Sequence, residues 1–186
     1  MAPHTEGLPK VRIATPADEE DVMAMCRALH EENGLFSLDE QKIRDIFRKF
    51  YERRGAIVGV IGPAGRIEAS TCLLISDSYY TTDQHLAELW NHVGKEYRHS
   101  RNAEALILFG KECSDKIGLP LITGIISNNR VAQKVRFYRR YLGFPAGAFF
   151  VYGAKWKDGV KPSEEDFMTT LELHSREGDN RKHKRA

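Results

Sequence analysis

Three basic residues, Lys95, Arg98 and Arg101, lie in a short stretch where a strand pattern ends and a helix pattern begins. The first N–H groups of a helix have no partner within the helix and lie at the positive end of its dipole. Ser100 can cap the helix that is predicted over about 101–117, and the basic side chains add positive charge around its start. This combination suits an anion, and a diphosphate is a reasonable ligand.

A second basic surface is predicted on a helix over 130–142, which begins after Asn129. This helix carries Lys134, Arg136, Arg139 and Arg140, so it offers further cations to the same ligand. A basic helix face is often only solvated, and basic residues mixed with aromatic ones also occur on nucleic-acid surfaces. The residues alone leave these alternatives open.

The elements that must position these residues are predicted from hydrophobic periodicity. Strand patterns occur at 11–15, 56–62, 66–75, 86–93, 121–126, 148–156 and, more weakly, 166–174, and helix patterns at about 16–33, 38–54, 101–117 and 130–142. The predicted order is βααβββαβαββ. It indicates an α/β (α+β) fold with a single mixed, mainly antiparallel sheet flanked by helices.

Composition is typical of a folded globular protein, since 41% of the 186 residues are hydrophobic and 29% are charged. Cys26, Cys72 and Cys113 are widely spaced within apolar patterns, so we expect buried free thiols rather than disulfides or metal ligands. No apolar run is long enough for a signal peptide or a membrane span. We therefore expect a cytoplasmic protein without a membrane partner.

The pattern predicts one main domain over 11–156, with an N-terminal tail over 1–10. The weak strand near 166–174 extends the domain, and the basic segment 175–186 is expected to be a disordered tail. His85, His92 and His99 recur every seven residues, but a strand and a turn intervene, so we predict no metal site.

Two segments, 93–106 and 129–144, resemble the signatures of a known superfamily. Its pyrophosphate loop is written R/Q-x-x-G-x-G/A, and the matching frame here follows Val93 and consists of Arg98, His99, Ser100, Arg101, Asn102 and Ala103. Its second signature, N-x-x-A…Y-x-k-x-G-F, is matched by Asn129, Ala132, Tyr138, Gly143 and Phe144, with one extra residue between the Tyr and the Gly. Over about 11–156 the chain resembles the GNAT superfamily of acetyl-CoA-dependent N-acyltransferases.

One position departs from the loop pattern, because glycine is usual where Arg101 stands. Glycine lets a phosphate approach the backbone closely. Arg101 must therefore either turn its side chain outward or contact the phosphate itself. We therefore expect the replacement of glycine by Arg101 to affect the affinity for the cofactor.

The resemblance implies that acetyl-CoA lies where the strands around 89–93 and 121–126 splay apart. The implied cofactor contacts are Val93, the six residues 98–103, Asn129, Lys134 and Arg136. A backbone N–H near Val93 is implied to stabilise the oxyanion, and Tyr138 to protonate the leaving thiolate. Tyr138 also fits an apolar stripe of its helix, so a plain packing role stays open.

The base that deprotonates the amine is expected on the strand beside the thioester, where Glu88 and His92 are the candidates. Period-two alternation predicts that Glu88, Trp90 and His92 share one face and that Asn91 lies on the other. Each candidate also has an ordinary structural interpretation: a solvated carboxylate for Glu88 and a hydrogen bond within the sheet for His92.

Three functions are weighed. The first is transfer of an acetyl group from acetyl-CoA to a primary amine of a small molecule or protein. The second is CoA binding without turnover, and the third is a nucleic-acid-associated module, although no specific nucleic acid is expected. The amine acceptor is expected to bind at the loops 30–38 and 76–85, and a homodimer is left open.

Overall fold

The computed structural model describes residues 6–33, 35–127, 130–148, 150–151 and 153. The chain divides into two compact units, one formed by 1–31 and 36–123 and the other by 32–35 and 124–186. Five strands and four α-helices are present among the described residues: β1 Arg12–Ile13, α1 Glu19–Asn33, α2 Glu40–Tyr51, β2 Ala56–Ile61, β3 Ala69–Asp77, β4 Gln84–Val93, α3 Asn102–Ile117, β5 Leu121–Ile122 and α4 Val131–Leu142.

The order of these elements confirms the predicted βααβββαβα part of the chain. The strand predicted over 121–126 is shorter, since β5 ends at Ile122. The predicted strand 166–174 lies outside the described residues, as does most of 148–156. Within 148–156, the described residues 148, 150, 151 and 153 are not in a strand.

The sheet has the order β1-β2-β3-β4-β5. The first three pairings are antiparallel, and β4 pairs with β5 in parallel. The sheet is therefore mixed and mainly antiparallel, as predicted. A parallel pair needs a crossover connection, and α3 provides it between β4 and β5.

The sheet is covered on both faces. On one face, side chains from α1 and α2 pack in a buried cluster with residues of the sheet: Ala14, Val22, Cys26, Phe47, Val58, Val60, Cys72 and Trp90. On the other face, Ala105 and Leu106 of α3 pack with Ile61, Ala69 and Val93. Leu8 and Val11, which precede β1, pack against this second cluster.

Gly59 lets α3 approach the sheet closely. A Cβ atom at this position would lie 2.7 Å from Cε1 of Phe109 and 3.0 Å from Cγ1 of Val11. The Phe109 ring thus occupies the space where a side chain would stand. The absence of a side chain in the middle of β2 therefore fixes how near α3, and hence its N-terminus, lies to the strands.

A buried carboxylate anchors β1 to the start of α1. Asp18 is fully buried and accepts two hydrogen bonds from the Arg12 guanidinium, at 2.7 and 2.6 Å, and others from the N–H and hydroxyl of Thr15. The Arg12 hydrogen bonds, together with those from Thr15, lower the pKa of Asp18 from 3.8 to about 2. A buried charge is tolerated only when it is paired and hydrogen-bonded in this way.

Candidate functional site

The parallel pair β4–β5 opens after two residue pairs. Leu86 pairs with Leu121 and Ala87 with Ile122, and beyond Ile122 no described residue pairs with this edge of β4. Because β4 continues to Val93, the second half of this edge has no partner strand among the described residues, and we call it the open edge. The described pairing of the two strands thus ends at Ala87 and Ile122, and β5 is shorter than predicted.

A β-bulge lies at the point where β4 becomes open. Cys72 pairs with Trp90, but the next residue of β3, Leu73, pairs with Glu88, so Leu89 is the extra residue. Leu89 is 41% exposed. A bulge bends its strand and redirects the side chains that follow it.

The bulge overturns the predicted grouping of side chains on β4. Cys72 and Leu73 are consecutive, so they point to opposite faces, and so do their partners Trp90 and Glu88. Glu88 therefore does not share a face with Trp90 and His92. It lies instead on the face of Asn91, whose Nδ2 donates to Glu88 Oε1 at 2.9 Å.

The two base candidates consequently have different surroundings. Glu88 is half-buried and lies on the same face as Asn91 and Val93, the face that α3 covers. His92 is only 6% exposed and lies on the face of α1 and α2. There its neighbour two residues earlier, Trp90, is buried and donates from Nε1 to Ser70 Oγ at 3.1 Å.

The backbone of Val93 faces the open edge. Antiparallel strands alternate between residue pairs that exchange two hydrogen bonds and pairs that exchange none. The Gly94 N–H donates to the Glu68 carbonyl at 2.9 Å, so Val93 and its partner Ala69 form a pair of the second kind. The N–H and C=O of Val93 therefore point away from β3. Nε of Arg98 donates to this C=O at 3.3 Å.

The loop from Gly94 to Arg101 turns the chain from β4 into α3. It contains a short 3₁₀ turn over Lys95–Tyr97, and Arg98, His99 and Ser100 are exposed. Arg101, rather than Ser100, occupies the N-cap position. The Ser100 hydroxyl nevertheless serves the helix start, because it accepts the Asn102 N–H at 3.1 Å while donating to the Tyr97 carbonyl at 2.6 Å.

The N–H groups of His99 and Ala103 have no hydrogen-bond acceptor among the described residues. His99 lies in the exposed loop, and Ala103 is the second residue of α3. Donors at this end of a helix lie at the positive end of its dipole and are suited to anion binding.

The Arg101 side chain turns outward from the loop. Its guanidinium binds both carboxylate oxygens of Glu104, at 2.7 and 2.9 Å, and donates to the carbonyl of Glu6 at 2.9 Å. Of the two possibilities left open by the sequence, the structure shows the first. The φ of Arg101 is −90°, so its backbone does not need glycine.

Asn102 was predicted as a cofactor contact, but its side chain faces the protein interior. It is 1% exposed, and its Nδ2 donates to Glu68 Oε2 at 3.1 Å. Since the Glu68 carbonyl also accepts the Gly94 N–H, Glu68 joins the end of β4 to the start of α3. Within the described residues the Asn102 side chain therefore serves the anchoring of the loop.

The remaining predicted residues belong to the unit that contains α4. Lys134 Nζ donates to Ser127 Oγ at 2.6 Å, and this hydroxyl in turn donates to Asn33 Oδ1 at 3.0 Å. Arg136 is exposed and Tyr138 is half-buried, with the Tyr138 ring edge-on to Phe137 at 6.4 Å between centroids. Asn129 lies outside the described residues.

The cysteines are free thiols, and Cys26 and Cys72 are buried as predicted, whereas Cys113 is only half-buried. Burial raises the pKa of Cys26 to about 12 and raises that of Cys72 as well, which makes both poor nucleophiles. In the described part of the chain, no group of three or more His, Cys, Asp or Glu side chains is arranged to hold a metal ion. No helix there has both the length and the apolar character to cross a bilayer.

Several solved structures with a similar fold are acetyltransferases. One is an acetyltransferase of Trypanosoma brucei, with 22% identity over 76% of this chain and 96% of its own and a TM-score of 0.57. A predicted acetyltransferase from Clostridium acetobutylicum, solved with acetyl-CoA, has 12% identity over 77% and 94% of the two chains and a TM-score of 0.60. The aminoglycoside 6′-N-acetyltransferase AAC(6′)-IG of Acinetobacter haemolyticus has 17% identity over 80% and 99% and a TM-score of 0.57.

These similarities confirm the predicted GNAT-type fold. No protein-family model matches the sequence, and no curated protein matches it. At this level of identity the likeness concerns the fold, and the chemistry must be argued from the side chains and backbone groups described above.

Proposed function

We propose that this protein is an N-acetyltransferase that moves an acetyl group from acetyl-CoA to a primary amine by direct attack of the amine on the thioester. The observation that carries this proposal is the open edge of β4, where the bulge at Leu89, the outward-facing N–H of Val93 and the start of α3 follow one another. This edge offers an extended ligand arm backbone hydrogen bonds, and the helix start offers an anion a binding site. Acetyl-CoA has both parts.

In the proposed complex the pantetheine arm lies along the open edge of β4 and the pyrophosphate lies at the loop 98–103. Arg98 is exposed and already bonded to the end of β4, so its guanidinium is held beside the proposed phosphate position. His99 and Ala103 contribute their N–H groups. Lys134 and Arg136 are proposed as further contacts to the phosphates of CoA, with Asn129 at the start of the same segment.

The chemistry requires a neutral amine, although an alkylamine with a pKa of about 10.4 is almost fully protonated at neutral pH. We assign the base to Glu88, which takes the proton directly or through water. Glu88 is held by Asn91 and lies beside the bulge. His92 is the weaker candidate, because it is buried on the opposite face.

Attack of the amine on the carbonyl carbon places a negative charge on the thioester oxygen. The Val93 N–H is assigned to this oxygen, because a backbone donor aimed at the developing charge is among the largest contributions such a site makes. Collapse of the intermediate breaks the C–S bond, and the CoA thiolate takes a proton. Tyr138 is proposed as the donor of that proton.

The acceptor is proposed to be a cationic amine that binds near the loop 76–85. This loop carries Asp77 and Asp83, and Tyr79 is fully exposed and Tyr80 77% exposed, with their rings edge-on at 4.9 Å. Carboxylates attract an ammonium group, and exposed aromatic faces bind cations. That some proteins with this fold are aminoglycoside acetyltransferases is compatible with such an acceptor.

Two measurements test the proposal. Acetyl-CoA at one hundred times its dissociation constant should stabilise the fold by about 2.7 kcal/mol, which a thermal-shift titration detects. Release of free CoA thiol is then followed with a panel of primary amines. Binding without thiol release would indicate a CoA-binding protein without turnover, and no thermal shift would refute the proposal. A salt-dependent interaction with DNA or RNA that CoA does not affect would favour the nucleic-acid module.

A further inference from the structure

The Arg101 side chain has hydrogen-bond partners outside the loop 98–103. Two of its contacts are with the carboxylate of Glu104, in the first turn of α3. Another is with the carbonyl of Glu6, which is 95 residues away in sequence. Two residues after Glu6, Leu8 packs with Val93 and α3 in the second buried cluster.

Glu104 stands where it would compete with a bound anion. An acidic side chain in the first turn interacts favourably with the positive end of the helix, but a diphosphate at the same end would face its negative charge. The Glu104 side chain is only 16% exposed, so solvent screens this repulsion incompletely. The paired guanidinium of Arg101 neutralises the carboxylate.

From this geometry we infer that Arg101 is a positioning residue for the cofactor diphosphate. It does so by cancelling the charge of Glu104, while its hydrogen bond to the Glu6 carbonyl holds the guanidinium in place. It does not contact the phosphates itself. This inference rests on the proposed function, because it assumes that acetyl-CoA binds at the start of α3.

A double-mutant cycle separates this role from direct phosphate contact. Dissociation constants of acetyl-CoA are measured by calorimetry for wild type, Arg101→Ala, Glu104→Gln and the double variant. Arg101→Ala should weaken binding about tenfold, because the charge of Glu104 near the diphosphate then lacks the guanidinium of Arg101. Glu104→Gln alone should change it less than about twofold, and adding Glu104→Gln to Arg101→Ala should restore most of the affinity.

The same helix offers a matched control. Lys116 and Glu112 form an exposed ion pair near the other end of α3. The corresponding cycle, with Lys116→Ala and Glu112→Gln, should leave the acetyl-CoA affinity unchanged. Acetyl-pantetheine, which lacks the diphosphate, should bind wild type and Arg101→Ala equally, whereas a general loss of structure would weaken both ligands.

The outcomes are distinct. If the double variant stays as weak as Arg101→Ala, the guanidinium contacts phosphate directly and the inference is wrong. If Arg101→Ala binds as tightly as wild type, or if acetyl-pantetheine weakens in parallel, the positioning role is also refuted. If Arg101→Ala does not fold, Arg101→Gln takes its place in the cycle. Failure of wild type to bind acetyl-CoA would instead contradict the proposed function, on which the inference depends.

Discussion

Replacement of Val93 by proline removes one backbone N–H from the proposed site while leaving the β3–β4 ladder intact. This follows from the pairing of Val93 with Ala69, which exchanges no hydrogen bond. Proline is tolerated in a strand when its nitrogen faces away from the neighbouring strand, and its fixed φ lies within the β region. The substitution therefore tests the oxyanion donor without breaking the sheet.

The expected effect is large for turnover and small for stability. Loss of one oxyanion donor lowers kcat about 10²- to 10³-fold, which is about 3 to 4 kcal/mol. Val93 is half-buried, so the altered packing should reduce the free energy of unfolding by about 1 kcal/mol. Val93→Ala keeps the N–H and should show the packing effect alone.

His92→Pro is the matched comparison on the same strand. His92 and Ser70 form the neighbouring ladder pair, so the N–H of His92 points to β3. Its loss leaves a buried carbonyl without a donor and should cost about 1 to 3 kcal/mol of stability. Val93→Pro should therefore lose mainly turnover, whereas His92→Pro should lose mainly stability.

The assay combines three measurements: thiol release for kcat, calorimetry for the acetyl-CoA dissociation constant, and urea denaturation for stability. Two results would refute the reasoning. One is turnover by folded Val93→Pro within about tenfold of Val93→Ala, since a lost oxyanion donor costs more than that. The other is an equal loss of stability in Val93→Pro and His92→Pro, which would mean that the two edges of β4 are wrongly assigned.

Four further predictions concern single side chains. Glu88→Gln should lower turnover about 10²-fold without weakening acetyl-CoA, and the loss should shrink at high pH, where the amine is already neutral; unchanged turnover removes Glu88 from the mechanism. Tyr138→Phe should slow thiol release while the acetyl-CoA dissociation constant stays the same, and normal turnover would leave Tyr138 as a packing residue. Arg98→Ala should weaken acetyl-CoA more than acetyl-pantetheine in calorimetry, and an equal loss for both contradicts a diphosphate contact. Because the folded-state pKa of Asp18 is lowered from 3.8 to about 2, its stabilisation is present above pH 3.8 and is lost as the pH falls through about 2. Asp18→Asn should cost about 2 kcal/mol at neutral pH and lack this acid-dependent slope in denaturation curves, and an unaltered slope would show that Asp18 is not its source.

Periodicity was sufficient to predict the helices and most strands, because each buries one regular face. The start of α2 was also predictable. Asp39 lies at the predicted helix start, and its side chain accepts the Lys42 N–H at 3.2 Å. Strand β5 was predicted too long. The apolar residues from Leu121 to Ile126 suit a strand, but only the first two have a partner strand among the described residues.

The site was harder to predict than the fold because two of its features depend on pairing between distant segments. Alternation along β4 cannot reveal that Leu89 is an extra residue, since a bulge exists only relative to β3. Glu88 was therefore assigned to the wrong face. The contact of Arg101 with Glu6 is likewise invisible in the local sequence, although its spacing to Glu104 is that of a helical ion pair.

Trp90 can serve as an intrinsic fluorescence probe. Its buried indole lies next to the bulge and is hydrogen-bonded to Ser70. An indole shielded from water emits at shorter wavelength than an exposed one, so the fluorescence of Trp90 is tied to the intactness of the segment where β4 leaves β5. Because Trp90 lies on the face opposite Glu88, its emission, recorded after replacing the other tryptophan, Trp156, by phenylalanine, can be followed while ligands are added on the other side of the strand.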